Sequence, residues 1–511
     1  MTDRVRLAEL MAAWSLAIDV GMSAPMETGL RICLVATRVA ERAGADPAVL
    51  RRAYYLALLR HIGCTAGNVD FAGLVGDEHA FRDGMAGLDV SSSKALMPYV
   101  FRTVVGSQPL LQRPAAMVKL ARGGSAMKQM SSAVCEVAQM LVHRLELGPE
   151  LHDDLALVYE RYDGKGFPAR RPPEEISLPA QVVHLAETVV THQALGDRSH
   201  VEEVLRERRG KAFAPGLVDL LLADLDAVVE EPVELWDAVM DLEPGDRPLL
   251  TEAALDDALL AMADFVDLKS PWTVGHSREV SRLAGYAAAS CGQSAQPVRR
   301  AALLHDLGRL SVSVLVWGKP GPLTRDEWEK VRLHAYVSER VLAHPAEIAR
   351  LGALAGAHHE RADGTGYHRG VPNAALPEGA RLLAAADVYA ALVADRPHRP
   401  AFEPGAAAAV MKDEAKAGRL DGTAVDAVLA AAGHAPTRKR AEVAGLTARE
   451  LDVLRLLAQG LSNKEIAARL TVSPRTVEHH VESVYAKAQV RSRPAATVFA
   501  MQHGLVGGLE R

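Results

Sequence analysis

Two stretches in opposite halves of this chain carry one apolar frame, so whatever the second half folds into, the first must fold into a version of it. Ala57-Leu58-Leu59-Arg60-His61-Ile62-Gly63 parallels Ala302-Leu303-Leu304-His305-Asp306-Leu307-Gly308, and Pro25-Met26-Glu27-Thr28-Gly29-Leu30 parallels Pro271-Trp272-Thr273-Val274-Gly275-His276. At 511 residues the chain is too long for one core. Alanine and leucine abound while aromatics make up only 5%, which suits helical packing better than sheet sandwiches. The expected fold class is therefore all-α, with tandem helical domains at 1–245 and 250–433 and a small third domain at 441–511. Glu243-Pro244-Gly245-Asp246-Arg247-Pro248 marks the boundary between the copies, because its two prolines and glycine oppose a continuous helix.

No uninterrupted apolar run reaches the ~18 residues of a membrane span. Met1 to Leu10 mixes Arg4 and Arg6 with Asp3 and Glu9 rather than following a signal-peptide pattern. A soluble cytoplasmic protein with no membrane partner is expected. Cys33, Cys64, Cys135 and Cys291 form no Cys-x-x-Cys pair and read as buried free thiols. The net charge of −6 hides an asymmetry, since an acidic body precedes a basic tail beginning at Arg438-Lys439-Arg440. Such a tail suits an anionic partner.

The chemistry concentrates in the second copy. An apolar helical run ends in adjacent His305 and Asp306, where one side chain offers a nitrogen and the other can bridge two cations that share an attacking water. An isolated His-Asp pair is far more often a solvated surface dipeptide. Here it keeps company with His276, with His334, with His358-His359-Glu360, and with Asp387 at the end of Leu382-Leu383-Ala384-Ala385-Ala386. Five imidazoles and two carboxylates suit iron, manganese or zinc rather than calcium.

Residues from about 264 to 400 resemble an HD-GYP domain, the HD-superfamily phosphohydrolase that cleaves cyclic di-GMP. The motifs that carry the likeness are His276-Ser277, His305-Asp306-Leu307-Gly308, Lys319-Pro320-Gly321-Pro322-Leu323, His334, His358-His359-Glu360-Arg361, Asp363-Gly364-Thr365-Gly366-Tyr367 and Ala386-Asp387-Val388-Tyr389. The resemblance implies that His276, His305, Asp306 and Asp387 hold one metal and His334, His358 and His359 a second, with Asp306 bridging. Asp306 and Arg309 would be the catalytic residues, and Lys319, Asp363, Gly366 and Tyr367 would meet substrate. Two divalent ions, iron or manganese, are the implied cofactors. An acidic residue that adds a third metal in some members is Trp272 here, so the site is expected to be dinuclear.

The sequence departs from the family at Arg309, where lysine is usual, at His368 in place of the signature proline, and at Ala390-Ala391-Leu392. Loss of that proline predicts a freer loop. The first copy departs further. Leu30 is expected to stand for His276, Arg60 for His305, His61 for Asp306, Val158 for His358, Tyr159 for His359 and Glu187 for Asp387. Glu160-Arg161-Tyr162-Asp163-Gly164-Lys165-Gly166-Phe167-Pro168 nevertheless keeps the signature loop. Two readings stand: a pseudo-domain that only packs, or one that binds a nucleotide through Arg161 and Lys165 without cutting it.

From Leu446 the pattern changes to short capped helices. Thr447-Ala448-Arg449-Glu450 and Ser462-Asn463-Lys464-Glu465 are capping boxes, and Ser473-Pro474 opens a third helix expected to run to about Ala488. The segment resembles a LuxR-type helix-turn-helix domain, which implies DNA as partner and paired half-sites read by a homodimer. By that resemblance Arg475, Thr476, His479, His480 and Lys487 lie along the groove, with Lys464 nearer the phosphates. A helical protein-interaction module is the bland alternative. The combined expectation is a transcription regulator with a dinuclear-metal phosphodiesterase acting on cyclic di-GMP or a related nucleotide. The alternative is a regulator whose HD domain senses a nucleotide or metal without hydrolysis.

Overall fold

Each half builds its core from helices whose ends are fixed by local chemistry. The computed structural model describes residues 5–89, 93–106, 109–433 and 444–506; the basic linker at 434–440 lies outside the described residues. Among the described residues there is no named β-strand, only isolated bridges. Contacts divide the chain into two units, one of Met1–Cys64 and Asp70–Thr251, the other of Thr65–Val69 and Glu252–Arg511.

In the first unit α1 (Leu7–Gly21), α2 (Thr28–Arg42), α3 (Pro47–Leu59) and α6 (Leu178–Leu195) pack together, with α4 (Arg113–His143) and α5 (Pro149–Leu155) alongside. Asp46 caps α3 through the Ala48 and Val49 amides, and Pro47 takes the first helical position, where no amide is required. The predicted boundary segment doubles back: Leu250 N donates to Val5 O (2.9 Å) and Leu7 N to Pro248 O (3.0 Å).

The second unit repeats the plan with α7 (Glu252–Asp267), α8 (His276–Ser290), α9 (Ala295–Leu304), α10 (Arg325–Val341), α11 (Ala346–Ala355) and α12 (Glu378–Leu392), followed by α13 (Pro404–Lys416) and α14 (Gly422–Gly433). Val280, Leu283, Ala284, Ala301, Leu382, Leu383 and Val428 form one buried core between α8, α9, α12 and α14. The small alanines let these helices approach closely.

The repeat can now be registered residue by residue. Helix α8 begins after Gly275 at φ 77°, and α2 begins after Glu27 at φ 73°. A buried aspartate ten residues ahead holds the start of each: Asp267 accepts from Ser277 N (2.9 Å), and Asp19 accepts from Gly29 N (3.0 and 3.1 Å). Thr28, not Leu30, therefore stands at the position of His276. The apolar frame alone could not reveal this two-residue slip. For Arg60 and His61 the expected register returns, because α3 is three residues longer than α9 and the two residues follow its end as His305 and Asp306 follow that of α9.

The four thiols are free. Only Cys33 is fully buried, the other three being partly accessible, which corrects the expectation of four buried cysteines.

The C-terminal helices follow the sequence closely: α15 (Ala448–Ala458), α16 (Asn463–Leu470), α17 (Pro474–Ala488) and α18 (Arg493–Gln502). Both expected capping boxes form, and Ser473 accepts from Thr476 N to cap α17.

Candidate metal centre and DNA-reading helix

Seven side chains from five separate segments converge in the second unit, and each is aimed by its own helix. His305, His334 and His358 sit near helix ends or on α10, and each ring Nδ1 lies against the carbonyl oxygen three residues back, on Ala302 (2.7 Å), Val331 and Ala355 (2.7 Å). A carbonyl only accepts, so each Nδ1 carries the proton and each Nε2 presents a lone pair. This is the outer-shell contact that orients histidine ligands in metal sites.

Those lone pairs point at one another. The Nε2 atoms of His334 and His358 stand 3.1 Å apart, and His305 Nε2 is buried with no hydrogen-bond partner. Two acceptors at that separation repel unless a cation or proton lies between them, so the donor set fits a bound metal. Burial and the neighbouring imidazoles hold His358 well below the usual histidine range, and burial takes His359 down to about 3, which leaves both rings neutral and ligand-competent.

Asp306 stands between two groups of donors. Its Oδ2 lies 3.4 Å from His305 Nε2 and 3.8 Å from His276 Nε2, while its Oδ1 lies 3.5 Å from His334 Nε2 and 3.6 Å from His358 Nε2. Asp387 closes the ring, with Oδ1 3.0 Å from His276 Nε2 and Oδ2 3.7 Å from His359 Nδ1. Among the described residues, His276, His305 and Asp306 form one set compact enough to hold an ion, and His334, His358 and His359 form the other. Burial would raise both carboxylates. For Asp306 the neighbouring His305 ring and the Arg309 guanidinium outweigh it, and for Asp387 the hydrogen bond from His276 does, so both stay far below the ordinary value.

The other expected residues divide. Arg309 binds Asp306 (3.1 Å) and lies 3.9 Å over the Trp317 ring. Tyr367 packs on the centre, its ring 4.7 Å from His359 and 6.2 Å from His334. Lys319 is instead paired with Glu327 (2.6 Å). Asp363 accepts from Thr365 N (2.9 Å) and Oγ1 (2.6 Å) in the loop's own turn. Gly366 is held so close that a Cβ there would lie 2.4 Å from Arg361 N.

Sequence reasoning missed four supports. Glu360 is buried, and its two oxygens accept from Arg369 N (2.7 Å) and Val371 N (2.8 Å). Glu160 does the same for Ala169 N (2.8 Å) and Arg171 N (2.9 Å). The loop with His368 therefore has the same hydrogen-bond frame as the loop that keeps Pro168. Ser338 ties the His305 carbonyl (2.6 Å) to Gly308 N (2.8 Å). Asp267 anchors the start of α8. Arg396 donates to Trp272 O (3.1 Å), and burial and nearby Arg309 lower it to about 10 against the opposing pull of Asp387 and Asp306. A serine four residues after His334 and an arginine just past α12 were the available signals.

Among the described residues the first copy holds no such cluster. Gly63 packs on Val134 as Gly308 packs on His334, which puts Val134 in the place of that ligand. Arg60 Nε and His61 Nε2 each lie 3.4 Å from Glu187 Oε1. Arg161 is engaged by Asp89 (3.0 Å) and Asp163 (3.1 Å), leaving Lys165 as the exposed cation of that loop.

On α17, Arg475, Thr476, Glu478 and His479 are exposed, His480 is partly so, and Lys464 is exposed on α16. Lys487 is held by Glu450 (2.7 and 2.9 Å), which also accepts from Ser483 Oγ (2.6 Å).

Comparison with known proteins agrees with both parts. Residues 261–424 match the HD domain family, and residues 444–500 match bacterial regulatory proteins of the luxR family. The 3'3'-cGAMP-specific phosphodiesterase 3 of Vibrio cholerae is 29% identical over 424 residues, covering 80% of this chain and 90% of that protein. The cyclic di-GMP phosphodiesterase response regulator RpfG of Xanthomonas campestris is 36% identical over 179 residues, 34% of this chain and 47% of its own length. A crystal structure of a cyclic GMP-AMP-specific phosphodiesterase from V. cholerae shares the helical fold, with a TM-score of 0.60 at 24% identity, covering 85% of this chain and 99% of that one. No described helix is long and apolar enough to cross a membrane. Residues 261–424 are thus similar to HD domains and residues 444–500 to luxR-family regulatory domains, and over most of its length the chain is similar to a cyclic-dinucleotide phosphodiesterase.

Proposed function

We propose that this chain is a transcription regulator whose second HD copy is a dinuclear phosphodiesterase for a cyclic dinucleotide, cyclic di-GMP or its cyclic GMP-AMP relative. The observation that carries the proposal is the position of Asp306, one oxygen toward His276 and His305 and the other toward His334 and His358. His276, His305, Asp306 and Asp387 would hold one ion and His334, His358 and His359 the other, iron or manganese by the mix of imidazole and carboxylate donors. When bound, the ions supply an activated water and offset charge on the phosphoryl oxygens.

The protein's own groups do the rest. Arg309, fixed between Asp306 and Trp317, can donate to a non-bridging phosphate oxygen. Tyr367 walls the centre against bulk water, and Arg396 adds positive field near Asp387 and Asp306. Arg475, Thr476, His479 and His480 would meet the major groove and Lys464 the phosphates, the domains of a homodimer spanning paired half-sites. Because Lys487 is tied to Glu450, its part in DNA contact would follow release of that pair.

The test is anaerobic purification followed by metal analysis and incubation with cyclic di-GMP, 3',3'-cyclic GMP-AMP and a generic phosphodiester. Two ions per chain, with turnover of a cyclic dinucleotide abolished by Asp306→Ala, is the expected result. Tight binding with no product would instead mean a sensor.

A further inference from the structure

One flank of α10 carries a ladder that the centre itself does not use. Trp328, Arg332 and Tyr336 follow one another at four-residue spacing and so share a face. Trp328 remains 45% exposed and Tyr336 46%, although large aromatics ordinarily bury their rings. The ladder adjoins the metal centre through Tyr367. That ring stands 6.2 Å from the Trp328 ring at 76°, lies 4.7 Å from His359, and has the Arg332 guanidinium 5.7 Å from its centroid. A perpendicular pair meets edge to face over only a small area, and with nearly half of Trp328 exposed the indole keeps π surface open one ring away from a candidate metal ligand. Arg332 is 41% exposed and meets Glu329 only at 3.6 Å.

We propose that Trp328 and Arg332 form a purine-base subsite, in which the indole stacks on a guanine of the cyclic dinucleotide and the guanidinium takes that base's O6/N7 edge. The proposal rests on the functional reading above and assigns what that reading leaves open, the groups that hold a base. A phosphodiester seated at the centre has this ladder within reach of its bases, one ring beyond Tyr367. Bases stack on aromatic side chains whatever their identity. Arginine is the side chain that pairs bidentately with guanine O6 and N7 and has no such partner on adenine.

Steady-state kinetics and rapid-mixing indole fluorescence of the full-length, metal-loaded protein test this, with cyclic di-GMP and cyclic di-AMP as probes. Trp328→Leu, which keeps apolar bulk but no π face, should raise KM for cyclic di-GMP about ten-fold, the loss falling on KM rather than kcat. Trp328→Phe should recover most of that loss while reducing ligand-induced quenching of indole fluorescence, Trp317 beside Arg309 accounting for what remains. Arg332→Gln should erase the preference for cyclic di-GMP over cyclic di-AMP. A Trp328→Leu protein that keeps the wild-type KM overturns the subsite, as does quenching that is undiminished in Trp328→Phe. If the wild-type protein neither binds nor cleaves either probe, the functional reading itself fails and the subsite with it.

Discussion

At the scale of single residues, the centre depends on one close approach. A Cβ on Gly308 would stand 1.9 Å from the His334 carbonyl oxygen and 2.7 Å from Ser338 N, both backbone atoms that cannot swing away. Gly308→Ala should therefore push α10 outward, costing about 3 kcal/mol. Because α10 carries His334, the variant should also lose bound metal; chemical denaturation with metal analysis checks both, and a fully loaded Gly308→Ala protein would contradict the geometry. His-Asp-x-Gly could be read from the chain as a ligand motif. What its glycine does could not, because the neighbour that fills the missing side chain's place comes from a distant helix.

At the scale of elements, what was legible is what local chemistry decides. The capping boxes at Thr447 and Ser462 and the proline after Ser473 fixed three helix starts, and all three form as expected. The candidate ligands could be gathered from the chain because imidazoles and carboxylates recur in the spacing of the resembled motifs. Registration of the first copy was not legible: α2 starts where Asp19 and a left-handed Glu27 place it, and neither leaves an apolar signature. The buried clasps were also silent in sequence. Removing one, by Glu360→Ala, strands the amides of Arg369 and Val371 and should cost about 1–3 kcal/mol. Limited proteolysis should then cut between residues 361 and 371, and an uncut loop would deny Glu360 that role. In the DNA-reading domain, burial would raise Glu450, yet hydrogen bonds from Lys487, Ser483 and Thr447 outweigh it and lower the carboxyl from 4.5 to about 2. A depressed folded value means the stabilisation is complete above about pH 4.5 and fades as pH falls toward 2. Wild-type α15–α17 should lose about 1–2 kcal/mol across that window while Glu450→Gln, already weakened at pH 7, changes little; parallel acid titrations followed by circular dichroism decide it.

At the scale of the whole molecule, the two copies meet the same demand differently. The second gathers five imidazoles and two carboxylates whose lone pairs face inward, so a bound ion contributes directly to its folded state. Stripping metal should lower the melting transition of that copy by several degrees, with the transition of the first unmoved, as differential scanning calorimetry of the full chain can resolve; equal shifts in both would refute the distinction. Arg60 beside Glu187 explains why. There the positive charge is stitched into the polypeptide, beyond the reach of any chelator, whereas the later copy borrows its own from the surroundings. Starvation for transition metal would thus slacken one half of the chain and spare its sibling.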